Sequence, residues 1–522
     1  MPLSFKLSKS ILSTISPPIP TAYKWVPKLK LTHRASLDIL DMSQGVPGTV
    51  PHPLLQQSLR ETSQRADAWG YCPAEGEWQL REALALEMRD TYRHGAKTVD
   101  ISPNDIAITS GCNLAFVATI MAIADAGDEV ILPVPWYFNH QMTLTLLGIT
   151  PIPLITSPES SFLPSAALAS SLITSKTRAI ALVTPNNPTG AVYPPSLIAQ
   201  FAKLASEKGI ALILDETYRD FIVGDANVIE RPHGLFDSDL ESEDKLLTTI
   251  SNRKLPWHST LISLYSFSKS YRIPGHRLGA ITASPELLRE ICKVLDTLQI
   301  CAPRVPQLAL AKEFEEEHDV LGSARTEVQS DGVVHTQLQL STPPLTTPGT
   351  PRENTSESEL GMEAIPIKIS SVKPVSLVDT NSKKSVLSAL KFDILSTALA
   401  IHARQRLFKD TLEKEAPRWR VVSQGAYYAF VQHPFPDHGS EEICRKLVEE
   451  VGVRVLPGSF FFDKEVTVTS EIPSMSVSEL DRYIRFSVAN VSDEKVVQVC
   501  RRLGEAERMF REEFGWSVEG EV

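Results

Sequence analysis

The chain has 522 residues, 42% of them hydrophobic and 22% charged, the balance of a globular protein and too long for one compact core. A net charge of −11, from 52 basic and 63 acidic side chains, argues against a nucleic-acid-binding surface spread over the whole molecule. Six scattered cysteines without a CxxC pair point away from a disulfide framework or a metal site, and toward a reducing compartment.

Six basic residues and several serines precede the first acidic one, Asp38. Lysine outnumbers arginine there, and Pro17, Pro18 and Pro20 interrupt the stretch early. Residues 1–38 therefore read as an N-terminal arm of a cytoplasmic protein; an organelle transit peptide, which would make it mitochondrial, is the alternative. No run reads as a membrane span. Residues 106–124 are uncharged but contain Thr109, Ser110, Gly111 and Asn113, which suits a buried strand-turn-helix. Prolines 133, 135, 151 and 153 break the uncharged run 130–158.

From 76 to 310, helix-like stretches such as Trp78–Tyr92 alternate with short apolar runs: Ala107–Thr109, Glu129–Leu132, Ala179–Thr184, Ile210–Leu214 and Leu261–Tyr265. The pattern predicts an α/β domain with a largely parallel sheet, whose ligands bind at the carboxyl ends of the strands. Four polar clusters stand there. In ITSGCN (108–113), Ser110, Gly111 and Cys112 would open a helix whose free N–H groups favour a phosphate. In TPNNPTG (184–190), Asn186 and Asn187 offer neutral amides on a tight turn. In LILDETY (212–218), Asp215 ends an apolar strand, where a desolvated carboxylate needs a cation, and Tyr218 could reach the same place. In YSFSKSYRIPGHRLG (265–279), Ser266, Ser268, Lys269 and Arg277 follow another strand; the lysine suits Schiff-base chemistry and the arginine a phosphate.

Residues 315–391 contain no aromatic residue, where the chain average would give about 5, and STPPLTTPGTPRENTSESE (341–359) holds eight Ser/Thr and four Pro. This segment reads as a low-complexity, disordered insert. Beyond it, a helical pattern (Leu390–Leu412) and strand-like pieces (Gly425–Gln432, Tyr483–Val488) predict a smaller α/β domain over 392–522. Arg485, in YIRFSVAN (483–490), is a lone cation in an apolar strand; a carboxylate ligand or a structural ion pair would satisfy it.

Taken in this order, the clusters resemble the class I/II aminotransferases of the pyridoxal-phosphate-dependent fold-type I family, over about 39–310 and 390–500. YCPAEGEWQLREALA (71–85) is similar to the family's segment that begins with an active-site tyrosine, and SQGVP (43–47) to its substrate loop. The resemblance implies a three-layer α/β/α large domain (76–310) with a mostly parallel seven-stranded sheet. It also implies a smaller α/β domain built from the N-terminal (39–75) and C-terminal segments. The cofactor would be pyridoxal 5′-phosphate, held by Lys269 as a Schiff base, with Lys269 then serving as general base. Asp215 would pair with the ring nitrogen, Asn187 and Tyr218 would bond the ring oxygen, and Tyr137 would stack on the ring in preference to Trp136. His140 reads as structural. Ser110, Gly111, Cys112, Ser266, Ser268 and Arg277 would cup the phosphate. Tyr71 would reach a neighbouring subunit's site, which implies a homodimer with shared active sites. Arg485, helped by Gly45 and Asn187, would grip the substrate α-carboxylate. The expected activity is ping-pong transfer of an amino group between an L-amino acid and a 2-oxo acid. A C–S β-lyase or an aminocyclopropane-carboxylate-synthase-like lyase shares the same residues, and a non-catalytic binding protein is the third reading.

Overall fold

The structure, a computed structural model, describes residues 4–26, 38–93, 98–224, 227–237, 257–313, 389–463 and 477–514. The predicted insert lies outside the described residues as far as 388. Its last three residues, 389–391, open the helix Ala389–Glu415, because Leu390 is buried and Ala and Lys are good helix formers.

Two short helices stand first, α1 (Lys9–Ser13) and α2 (Pro18–Tyr23). The Ser8 hydroxyl caps α1 by accepting from the Ile11 N–H, and α2 starts on a proline, whose missing donor costs nothing in a first turn. Ala22 and Trp25 are buried, so this part of the arm packs on the body of the protein. The strands follow: β1 (Leu40–Asp41), β2 (Ile106–Thr109), β3 (Glu129–Val134), β4 (Thr150–Ile155), β5 (Thr177–Val183), β6 (Ala211–Asp215), β7 (Leu261–Ser266) and β8 (Gly279–Thr282). After the helix Ala389–Glu415 come β9 (Arg420–Gly425), β10 (Tyr428–Gln432), β11 (Val453–Arg454), β12 (Leu456–Pro457) and β13 (Tyr483–Ser487).

Among the described residues the large sheet has seven strands in the order β2-β8-β7-β6-β5-β3-β4. β8 runs antiparallel to both neighbours; the other pairings are parallel. Alternate residues feed two cores. Ile180, Leu182, Leu212 and Leu214 face one, and Ala179, Ala181, Ile213 and Ile262 the other. Burial on both faces explains the near-continuous apolar runs, and each buried Leu or Ile contributes about 1.5–3 kcal/mol. Helices cover both faces, giving the expected three layers.

One local expectation changes, and one strand was not foreseen. The prolines at 151 and 153, which interrupt the uncharged run 130–158, lie inside β4. β4 is an edge strand, where a missing N–H leaves no partner unsatisfied. Gly425–Gln432 is not one strand: it holds the end of β9, the hairpin turn Ala426–Tyr427 and β10, with Gly425 paired to Tyr428 and Ala426 at φ 45°.

The smaller sheet runs β12-β13-β10-β9, antiparallel throughout. β1 pairs parallel with β11, so strands from the beginning and the end of the chain meet here, as expected. The helices Ser440–Val451 and Asp493–Glu513 supply much of the apolar core beside it.

Candidate active site

The carboxyl ends of β5, β6 and β7 open onto a cavity of ≈ 230 Å³ that β13 and the loop after β1 also reach. Lys269, Asp215, Tyr218, Tyr137, Asn187, Cys112, Ser266, Ser268, Arg277, Gly45 and Arg485 all line it. Ser110 and Gly111 do not. The Ser110 N–H donates to Gln299 Oε1 at 2.7 Å, so that donor is already used. Gly111 lies behind Arg277: at φ 87° it caps the helix Cys112–Ile123, and a Cβ there would sit 2.0 Å from Arg277 Nη2. Glycine therefore lets the guanidinium approach the helix N-terminus. Tyr71 is 77% exposed and stands apart from this cavity.

Asp215 ends β6 almost fully buried. Burial alone would raise its carboxyl, but His140 Nε2 at 3.2 Å and the Thr217 hydroxyl at 2.7 Å outweigh that and hold it below the usual carboxylate range. The Thr217 N–H adds a third bond at 3.0 Å. His140 itself stacks on Phe116, ring centroids 3.8 Å apart. The structural reading of His140 thus gains a function: it positions the carboxylate. The Cys112 thiol, pushed up by burial, stays neutral 3.7 Å from Asp215.

Lys269 follows β7 in a short helix, Phe267–Ser270, capped by the Ser266 hydroxyl. Its Nζ donates to the Gly45 carbonyl at 2.5 Å. Burial first, then the charges of Arg485 and Arg277, draw its pKa down to about 8. Arg485 sits in the middle of β13, 1% exposed. It donates to Asn187 Oδ1 at 2.8 Å and to the Ser43 carbonyl, its guanidinium lies 4.7 Å from the Tyr428 ring centre, and its Nε has no hydrogen-bond partner. No carboxylate forms an ion pair with it among the described residues. The two asparagines of the turn divide their work. Asn186 Oδ1 accepts from the Thr189 N–H and hydroxyl and shapes the loop, while Asn187 faces the cavity.

Tyr137 is fixed by Asn139 at 2.9 Å and Asn113 at 3.3 Å, whereas Trp136 is buried outside the cavity wall. Arg304, outside the cavity wall, donates to Glu77 Oε1 at 2.5 Å and to the Asp67 carbonyl at 2.6 Å.

Tyr428 and Ile19 are among the wall residues that escaped the sequence reading. Tyr428 Oη lies 2.5 Å from Tyr218 Oη, both hydroxyls kept neutral by burial. Ile19, on α2, also lines the cavity. Neither stands in a polar cluster, so no local signal marks them. Tyr428 also explains Gly45, where a Cβ would lie 1.9 Å from Tyr428 Oη. Gly45→Ala must displace that ring and is expected to cost about 1–3 kcal/mol in denaturant unfolding. An unchanged midpoint would refute this packing.

A family model for aminotransferase class I and II matches residues 38–330 and 372–503, leaving 331–371 uncovered. A probable aspartate/prephenate aminotransferase of Aquifex aeolicus is 29% identical over 272 residues, 52% of this chain and 61% of that protein. An aromatic aminotransferase of Arabidopsis thaliana is 28% identical over 53% of this chain and 64% of its own length. The chain thus aligns with under two thirds of these two relatives. In fold it is similar to the aspartate aminotransferase of Thermus thermophilus solved with maleate: TM-score 0.67, 18% identity, 96% of this chain and 100% of that one. Among the described residues, no helix is long and apolar enough to cross a membrane.

Proposed function

The chain belongs to the class I and II aminotransferases, and from that membership we propose that it moves an amino group between an L-amino acid and a 2-oxo acid. The observation that carries this reading is Arg485. It is a buried cation without a carboxylate partner among the described residues, on the same cavity as an amine whose pKa falls to about 8. A substrate carboxylate supplies the missing anion.

Pyridoxal 5′-phosphate is the cofactor of this family and supplies, when bound, an electron sink for the substrate's α-carbon. The donor set fits it: an exposed guanidinium over a glycine-capped helix start, two serines, a buried carboxylate kept ionised by His140 and Thr217, and an amine of lowered pKa. In this reading Arg277, Ser266, Ser268 and Cys112 bind the phosphate, with Ser110 and Gly111 setting the helix start behind them. Asp215 holds a proton on the ring nitrogen, and His140 and Thr217 keep it ionised. Tyr137 orients the ring by stacking; Tyr218 and Asn187 donate to its oxygen. Lys269 Nζ carries the proton taken from the substrate α-carbon, and Arg485 with Asn187 and Gly45 orients the α-carboxylate.

A neutral amine is what captures an aldehyde. With a pKa of about 8, roughly one-tenth of Lys269 is neutral at pH 7, against well under one-thousandth for an ordinary lysine. The rate at which the apoprotein captures pyridoxal 5′-phosphate is therefore expected to rise with pH and level off above about pH 9, read by stopped-flow absorbance. A rate still climbing through pH 10 would contradict the lowered pKa.

The domain division follows the same reading: 76–310 as the large domain, and 39–75 with 392–522 as the small one. The parallel pairing of β1 with β11 supports it. The assembly is a homodimer with shared sites, in the cytoplasm. Tyr71 at 77% and Trp69 at 79% exposure leave an apolar surface for a second copy, and the six cysteines are free, as a reducing compartment requires. Product analysis tests the activity. The loaded protein is mixed with single amino acids, and the 2-oxo acid and ammonia are measured. Stoichiometric oxo acid without ammonia supports transfer; ammonia with pyruvate would assign a lyase instead.

A further inference from the structure

We propose that Asp220 is a positioning residue for Lys269: its carboxylate pins both ends of the turn that carries the lysine, and so aims the amine into the cavity. This rests on the reading of Lys269 as the group that captures the cofactor and moves the proton. Lys269 belongs to a helix of four residues, Phe267–Ser270, whose first turn is capped by the Ser266 hydroxyl. A single turn is too short to keep its own shape, so contacts from outside it must set where Nζ points.

Asp220 supplies them. The Tyr265 hydroxyl donates to Asp220 Oδ2 at 2.7 Å, and the Ser270 hydroxyl donates to the same oxygen at 2.5 Å. Tyr265 precedes Ser266, and Ser270 follows Lys269. The two anchors thus bracket Ser266, Ser268 and Lys269 and converge on one atom. Asp220, Tyr265 and Ser270 are all buried, and none of them lines the cavity. Burial, then the Asp220 charge, pushes the Tyr265 phenol up, which keeps it a donor.

The charge of Asp220 is matched by Arg219, which is fully buried. Its Nε lies 3.6 Å from Asp220 Oδ1, and its guanidinium lies 4.0 Å from the Tyr265 ring centre. Glu87 accepts from Arg219 Nη2 and holds it there. Apolar side chains of the same volume would fill such a space at similar stability. What the ionic network adds is direction, because a hydrogen bond fixes an atom's place where packed methyls fix only volume. The segment DETYRD (215–220) also carries Asp215 and Tyr218, which line the cavity. One short stretch of chain therefore sets both ring partners and, through Asp220, the amine that works beside them.

The test is Ser270→Ala, which frees the end of the turn next to Lys269 and leaves the carboxylate to Tyr265 and Arg219. The apoprotein is mixed with pyridoxal 5′-phosphate in a stopped-flow spectrophotometer, and the concentration dependence separates the encounter constant from the first-order capture step. The capture step is expected to fall about 10- to 100-fold, since a misplacement of about 1 Å suffices for that, while the encounter constant moves less than about twofold. In the loaded protein kcat should fall in the same proportion, with KM for the amino acid nearly unchanged. A Ser270→Ala protein, folded by circular dichroism, whose capture step stays within about twofold of wild type overturns the proposal. So does an equal loss in encounter and capture, which a merely loosened site would give. If that variant does not fold, Tyr265→Phe, which removes the other hydroxyl, is read in the same way. A wild type that captures no pyridoxal 5′-phosphate on Lys269 overturns the aminotransferase reading and this inference with it.

Discussion

Lys269→Ala is expected to lower kcat by at least about 10⁴-fold, because a positioned proton carrier alone is worth 10² to 10⁴ and the covalent anchor goes with it. The fold should survive. The lysine ends in the cavity, its Nζ is bonded to the Gly45 carbonyl, and its helix is capped by Ser266 rather than by the lysine. Single-turnover conversion of an amino acid, with far-ultraviolet circular dichroism on the same sample, reads both expectations. Small primary amines added to the variant should restore part of the rate, since they replace the missing proton carrier. A variant within tenfold of wild type would remove Lys269 from the chemistry.

Asp215→Asn is the second large effect. A carboxylate about 4 Å from a cation is worth about 4 kcal/mol at an effective dielectric near 20, or about 10³ in rate. Asparagine keeps the size and the oxygen that accepts from the Thr217 N–H, so the loss should appear in kcat with little change in unfolding midpoint. Asp215→Glu, which restores the charge, should recover more rate than Asn. Equal rates in Asn and Glu variants would show that charge is not what Asp215 contributes.

What the chain reveals of this site follows from where each residue is held. Asp215, Asn187 and Lys269 stand directly after buried strands, so an apolar run closed by a polar cluster announces them. Arg485 is visible as a cation in an otherwise apolar strand. His140 and Thr217 are different: they matter because tertiary packing brings them to Asp215, and a histidine one helical turn past a tyrosine carries no local mark of that contact. Tyr428 enters through the hairpin at Ala426, which periodicity reads as a single strand. Ile19 arrives from a basic, proline-broken arm, where composition speaks only of a tail. The large sheet was legible because its strands are buried on both faces; β4 was hidden because it carries two prolines, which an edge strand tolerates.

The most direct measurement on the central claim is a peptide map after borohydride reduction of the protein incubated with pyridoxal 5′-phosphate. The account predicts one equivalent of phosphopyridoxyl mass on the peptide holding Lys269, lost when an amino acid is added before the reductant. Label on another lysine, or equal labelling of Lys269→Ala, would contradict it.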